Sequence, residues 1–370
     1  MAFLNKNTAL AIAALVACGS AAATEDYDLR YAPGYGAADM SAPFEGGWVF
    51  QAHGYAYSGN VRNTSVIPTD LSSSFNAPAG TAGALTTVHT NTQINVNGVL
   101  ARLSYMSATT VFGATLGGTV LLPFVNKGSE ASVHGVSTTL TGAAAGLPAP
   151  NQAGLVALVN SLATRQANGL AAANSNKTWG IGDFEFSPIL RWSTEATQTL
   201  FILTTVVPTG DYDENRAANP SAGKFFTFRP AVQFSYIGDG WDMGSRVAYS
   251  YNSRNTMTKY KSGSYVNVDL SAMKSVSEST RVGLVGYAVD QLNKDTTSLT
   301  AAEFAAKDPA FQAREEVTLD KKGRIFGIGP EVAYIHGAGD YLLEGRIMKE
   351  FGAQTRPKGF TAFLTLSKPF

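Results

Sequence analysis

Cysteine occurs once and histidine four times in 370 residues. A single thiol excludes a disulfide scaffold and a Cys/His zinc centre. The histidines (His53, His89, His134 and His336) stand apart, with no H-E-x-x-H or other paired spacing, and neither G-x-S-x-G nor a Walker A sequence occurs. No cofactor and no metal are therefore expected. Charge is equally sparse: Asp, Glu, Lys and Arg make up 15% of the chain, with 28 basic residues against 28 acidic. Without a basic surplus the chain is no electrostatic binder of nucleic acid. Beyond the N-terminus no segment approaches the roughly 20 apolar residues of a membrane helix.

Glycine (37) and aromatics (11%) are plentiful instead, and they fall in segments of period two. In the last of these, Phe360, Ala362, Leu364, Leu366 and Phe370 face one way, while Thr361, Phe363, Thr365 and Ser367 face the other. One apolar and one mixed face suits a strand with lipid outside and water or polar groups inside. At the opposite end Lys6 precedes an apolar stretch, Ala9 to Ala17, and Ala21 and Ala23 form an A-x-A site before Thr24. That stretch is too short to span a bilayer but fits the core of a secretory signal. Leu15-Val16-Ala17-Cys18 also resembles a lipobox; cleavage after Ala23 is the preferred reading. The expected organisation is a signal peptide over 1–23, an N-terminal arm or luminal plug over 24–46, and an outer-membrane barrel over 47–370 with a long extracellular insertion at 123–179.

The fold expected is all-β, an antiparallel transmembrane β-barrel of 12 strands near 47–58, 96–107, 111–122, 180–192, 198–208, 224–237, 241–252, 264–276, 280–292, 323–335, 340–351 and 359–370. Compact joints (107–110, 193–197, 238–240, 277–279 and 336–339) alternate with longer ones, of which 59–95, 123–179 and 293–322 read as long loops. This asymmetry puts the short turns in the periplasm and the long joints outside the cell. A soluble sandwich would also alternate, but the export signal and the terminal Phe370 favour the membrane barrel. Strand four is expected to present Gly182, Phe184, Phe186, Pro188, Leu190 and Trp192 to lipid. From 151 to 173 the chain is rich in Ala and Leu, and Leu155, Leu158, Val159 and Leu162 form one face of a short helix, either folded over the mouth or a surface insertion. Pro188, Pro230 and Pro330 sit on apolar faces, where each removes a ladder donor and marks a bulge or a break in pairing.

The inward phases place Arg102, Arg191, Arg229, Arg246 and Arg346 against Asp183, Glu185, Asp269, Glu331, Glu344 and Glu350 as lumen-lining candidates. Near-balance of sign suggests interior salt bridges bracing a modest lumen, not a ring of one charge selecting ions. His53 reads as a residue of the wall and His336 as a solvated turn residue.

From Trp179 onward the chain resembles the family known as protein involved in the meta-pathway of phenol degradation, a group of outer-membrane transporters associated with aromatic catabolism. The resemblance rests on Gly182-Asp183, Ser187-Pro188, Pro208-Thr209-Gly210-Asp211-Tyr212, Phe228 with Pro230, Asn255, Tyr260 and Ser262-Gly263. It continues through Gly286-Tyr287, Gln291, Gly327-Ile328-Gly329-Pro330, Lys349-Glu350-Phe351-Gly352, Arg356-Pro357 and Gly359. It implies uptake of small hydrophobic or aromatic compounds across the outer membrane; the leading expectation is a monomeric barrel that conducts them passively, with membrane lipid and the solute as its partners. Two alternatives stay open: a structural or surface-binding barrel without a conducting lumen, and a barrel enzyme with a luminal Ser or His.

Overall fold

The computed structural model describes residues 25–40, 46–337 and 339–370. The expected signal peptide, with Cys18, Ala21 and Ala23, lies outside the described residues, as do Thr24 and residues 41–45 of the expected arm. Two single-turn 3-10 helices, Glu25–Tyr27 and Tyr35–Asp39, precede the first strand. Then follow β1 (Gly47–Asp70), β2 (Ala82–Val111), β3 (Ala114–Gly142), helix α1 (Ala149–Ala173), β4 (Asn176–Ile181), β5 (Phe184–Ser193) and β6 (Thr197–Val207). The chain continues with β7 (Thr227–Gly238), β8 (Trp241–Asn252), β9 (Tyr260–Lys261), β10 (Tyr265–Ser275), β11 (Thr280–Gln291) and β12 (Thr296–Thr297). Helices α2 (Ala301–Ala305) and α3 (Pro309–Thr318) and strands β13 (Arg324–His336), β14 (Tyr341–Gln354) and β15 (Lys358–Pro369) complete it.

Each wall strand pairs antiparallel with the next, and β15 closes onto β1 from Val49↔Pro369 to Asn60↔Lys358. With β4 and β5 sharing one position along β3, the wall is a closed antiparallel barrel of twelve strands. No helix among the described residues is long and apolar enough to cross a membrane; the strands do so. Their outward residues, among them Phe228, Val232, Leu270, Ile328, Ile347 and Leu364, are exposed, whereas their neighbours in sequence point inward and are buried. Trp48, Tyr105, Trp192, Trp241 and Phe370 are exposed near the short-turn end, as an interfacial aromatic girdle requires.

Two of the expected long loops begin or end in long stretches of strand. β1, β2 and β3 run for 24, 30 and 29 residues and continue past the wall as a three-stranded extension. Beyond Asn60 the outward positions of β1 include Arg62 and Thr64, while Val61, Ile67 and Thr69 are buried. Polar outward residues hide a strand from any search tuned to a lipid face, which is why 59–70, 82–95 and 123–142 read as loop. Helix α1 lies on this extension by a face that shares Leu155 and Val159 with the expected one but not Leu158. Val159, Ala163 and Ala167 are buried, Leu155 and Val156 pack beside Val159, and Leu158 is exposed. Small residues let the helix approach the sheet closely, so burial follows alanine instead of leucine.

The joint expected at 107–110 is also displaced. β2 runs on to a turn at Phe112-Gly113, where φ is 51° and 73°, and the register slips between Met106 and Thr110. A second slip separates β4 from β5: Phe124 pairs with Ile181 and Leu121 with Glu185, so β3 spends three steps where its partner spends four. This bulge at Gly182-Asp183 reverses the facing rule, with Trp179 and Ile181 outward and Glu185 and Ser187 inward. Gly182, expected toward lipid, is buried and donates its N–H to the Pro123 carbonyl at 2.9 Å.

The three prolines make breaks, not bulges. Pairing of β5 with β6 lapses between Phe186↔Thr205 and Ile189↔Ile202, that of β7 with β8 between Phe228↔Tyr251 and Ala231↔Ala248, and that of β13 with β14 between Ile328↔Lys349 and Glu331↔Arg346. Register is the same on both sides of each lapse. The missing N–H opens the seam locally without moving a strand.

The membrane band gives a direct test on stability. Leu364→Arg, outward in mid-strand, is expected to cost about 2–4 kcal/mol, the penalty of an arginine near the bilayer midplane. Val66→Arg, equally exposed but on the extension, should stay within about 0.5 kcal/mol, as surface changes do. Urea unfolding in lipid vesicles measures both; equal penalties would mean that the extension is also immersed.

Candidate functional site: the barrel lumen

Residues 25–40 lie within the barrel, held at each step by an inward side chain or a loop at the long-joint end. The Glu25 carboxylate accepts from Thr258 Oγ1 at 2.6 Å, Asn255 Nδ2 at 3.0 Å and Tyr212 Oη at 3.1 Å. Asp28 pairs with Lys127 at 3.1 Å. Arg30 pairs with Asp183 at 2.9 Å, donates to the carbonyls of Gly223 and Phe225, and lies over the Phe225 ring. Asp183 is further fixed by Ser221 Oγ at 2.9 Å and the Gly210 N–H at 3.1 Å. The Tyr31 hydroxyl donates to Asp269, whose other oxygen accepts from the Gly34 N–H at 3.1 Å. Tyr265 donates to the Leu29 carbonyl.

The expected luminal charges divide by partner. Arg229 donates to the Arg30 carbonyl and pairs with Glu185 at 3.5 Å. Arg102 reaches the Tyr35 hydroxyl at 3.3 Å, and Arg346 reaches the Tyr35 carbonyl at 3.3 Å while pairing with fully buried Glu331. Arg246 bonds Gln233 Oε1 at 2.7 Å and lies beside Gly36. Glu350 accepts from Tyr287 at 2.7 Å, the Gly359 N–H at 2.8 Å and Tyr57 at 3.1 Å. Arg191 is half-buried and Glu344 buried, both on wall strands close to short turns. His53 faces inward, bonded to Thr365 at 3.0 Å with its ring edge-on to Tyr35. His336 stacks on Tyr341.

Outside the membrane band the loops carry their own network. Tyr260 donates to Asp295 at 2.6 Å, and burial beside that carboxylate holds its phenol well above the usual range. Asp295 also accepts from Gln291 and the Gly263 N–H.

Between the segment and the opposite wall lies a cavity of about 240 Å³. An aliphatic strip runs along its wall side, formed by Leu100 of β2, Leu121 and Val125 of β3, Ile189 of β5, and Leu200, Ile202 and Val206 of β6, while Arg102, Lys127, Glu185, Arg229 and Arg246 line the same cavity. Several of these charges also hold the segment, Arg102 at Tyr35, Lys127 at Asp28 and Arg229 at the Arg30 carbonyl. Sequence reading for luminal residues by charge missed this strip, along with the pairs Lys127–Asp28 and Arg281–Asp242. The available signal was Leu200-Phe201-Ile202-Leu203, apolar on both phases of one strand. Among the described residues no group of three or more His, Cys, Asp or Glu is placed to hold a metal ion.

The family described as "Putative MetA-pathway of phenol degradation" matches residues 75–366. The chain belongs to that family. Its likeness to an outer-membrane channel from Pseudomonas putida F1 is at 13% identity with a TM-score of 0.55, over 90% of this chain and 98% of the other. The two share the fold of an outer-membrane barrel. Lower likenesses are to the CymD monoaromatic hydrocarbon channel (9% identity, TM-score 0.39, 96% and 98% covered) and a FadL homologue of Pseudomonas aeruginosa (9%, 0.38, 95% and 100%). No curated protein matches the chain. Many family-resembling residues lie where residues 25–40 are held: Asp183, Gly210, Tyr212, Asn255 and Ser262 at one end and Arg356 at the Tyr27 carbonyl.

Proposed function

We propose that this member of the phenol-degradation family is a monomeric channel for passive uptake of small hydrophobic or aromatic compounds across the outer membrane. Residues 1–23 act as a signal cleaved after Ala23, the long joints face the cell exterior, and residues 25–40 plug the lumen. The observation that carries the reading is the aliphatic strip on the 240 Å³ cavity. A dry apolar cavity of about 150 Å³ holds benzene, so a substituted ring fits here, and the absence of one-sided charge leaves an ion little reason to choose this path.

The test is uptake by proteoliposomes containing the refolded mature chain. Aromatics should enter well ahead of sugars of similar mass. Ile202→Asn, which puts an amide on the strip, should slow aromatic uptake by about fivefold to a hundredfold, equivalent to about 1–3 kcal/mol for a poorly satisfied polar group. Equal uptake of sugars, or no uptake, would defeat the reading. The β1–β3 extension with α1 favours the surface-binding alternative; that reading gains if uptake is absent while a partner is lost on replacing 144–174 by a short linker.

A further inference from the structure

A second cavity, of about 70 Å³, lies above the luminal one. Its sides are the inner face of the β1–β3 extension, with Asn63, Thr90 and Thr92, the last turns of α1, with Ala171, and helix α3, with Ala313 and Arg314. Arg314 braces the two helices, donating to Asn174 Oδ1 at 2.9 Å and to the Glu214 carbonyl at 2.6 Å. Among the described residues, Tyr27 alone lines both cavities.

The backbone of Tyr27 is fixed on both sides. Glu25 is anchored by three loop side chains, Asp28 by Lys127, and the Tyr27 carbonyl by Arg356 at 3.0 Å. Its φ of 62° is a left-handed value that a tyrosine holds only under surrounding constraint. A ring on so fixed a backbone can move only by side-chain rotation.

We propose that the outer cavity is a first binding station for an uncharged single-ring aromatic bearing one small polar group, and that the Tyr27 ring is the partition between this station and the lumen. Ala167, Leu170, Ala171 and Ala313 give it an apolar lining, while the Asn63 and threonine groups offer partners to a hydroxyl. At 70 Å³ the space is less than half of the roughly 150 Å³ that accommodates benzene. A ring can seat fully only as Tyr27 swings aside, so occupancy and opening are coupled, and a fused two-ring compound is refused. This rests on the transport reading for its purpose but not for its test.

The probe is 4-fluorophenol, followed by fluorine NMR against the full mature protein in detergent, with unlabelled phenol as competitor. Saturable, competed binding is expected for the unaltered protein. Ala171→Phe and, independently, Ala313→Phe should each weaken it by about tenfold or more, since an overfilled site no longer admits a ring. Tyr27→Ala should keep the binding and extend it to a fluoronaphthol. Absence of saturable binding, or binding indifferent to both fillings, overturns the proposal. Liposome uptake is measured in parallel: failure there with binding intact defeats the transport reading alone.

Discussion

Deleting residues 25–40 should raise single-channel ion conductance by about an order of magnitude, because twelve strands enclose a lumen of modest width and this segment occupies much of it. The wall does not need the segment to close: β15 pairs with β1 through twelve residues, and every other seam is made between wall strands. What the deletion strips away is the segment's share of the partners of Arg102, Arg229, Arg346, Asp183 and Asp269; each keeps a partner on the wall or its loops. Those groups would then be solvated by the water that replaces the segment. Heat-modifiable migration in gels establishes that the truncated barrel folds, and planar-bilayer recordings compare its conductance with the full mature chain. A folded truncate with unchanged conductance would show that the obstruction lies elsewhere.

The barrel was legible in the sequence because its lipid face is enforced residue by residue. A strand crossing hydrocarbon must alternate, and Phe360, Leu364 and Leu366 against Thr361, Phe363 and Thr365 announce both the strand and its facing. Where lipid stops, so does the signal. The extension of β1 to β3 shows water on its outer face and protein on its inner, and its polar outward residues resemble a loop. The bulge at Gly182-Asp183 was hidden for another reason: one inserted residue changes facing without altering composition. Arg229 and Arg346 lie buried between outward-facing neighbours in sequence, a placement that period two alone can suggest. The partners of luminal charges were not legible, because Asp183 meets Arg30 across more than 150 positions of chain, and no local pattern encodes that meeting.

Arg30→Met should unseat the luminal segment, and Asp183→Asn should do so less. The pair is buried on both sides, with side chains 3% and 5% exposed. Removing one member of such a pair is worth on the order of 3–5 kcal/mol, because the other charge stays desolvated. Expressed as an equilibrium, this is a rise of about two to nearly four orders of magnitude in the undocked population, provided the segment moves as a unit. The two substitutions are not equivalent. A methionine in place of Arg30 leaves Asp183 with the Ser221 hydroxyl and the N–H groups of Gly210 and Ala222, but it strips the Gly223 and Phe225 carbonyls of their guanidinium donor. An asparagine in place of Asp183 keeps the side chain's size, and Arg30 retains both carbonyls and the Phe225 ring. Replacing both members, Arg30→Met with Asp183→Leu, should recover part of the loss, since no lone charge remains. Frequent full openings in bilayer recordings and faster protease cleavage within 25–40 should therefore rank Arg30→Met first, the double variant between, and Asp183→Asn nearest the unaltered chain. If Arg30→Met stays closed and protease-resistant, this pair does not hold the segment, and the Glu25 and Tyr31 anchors suffice without it.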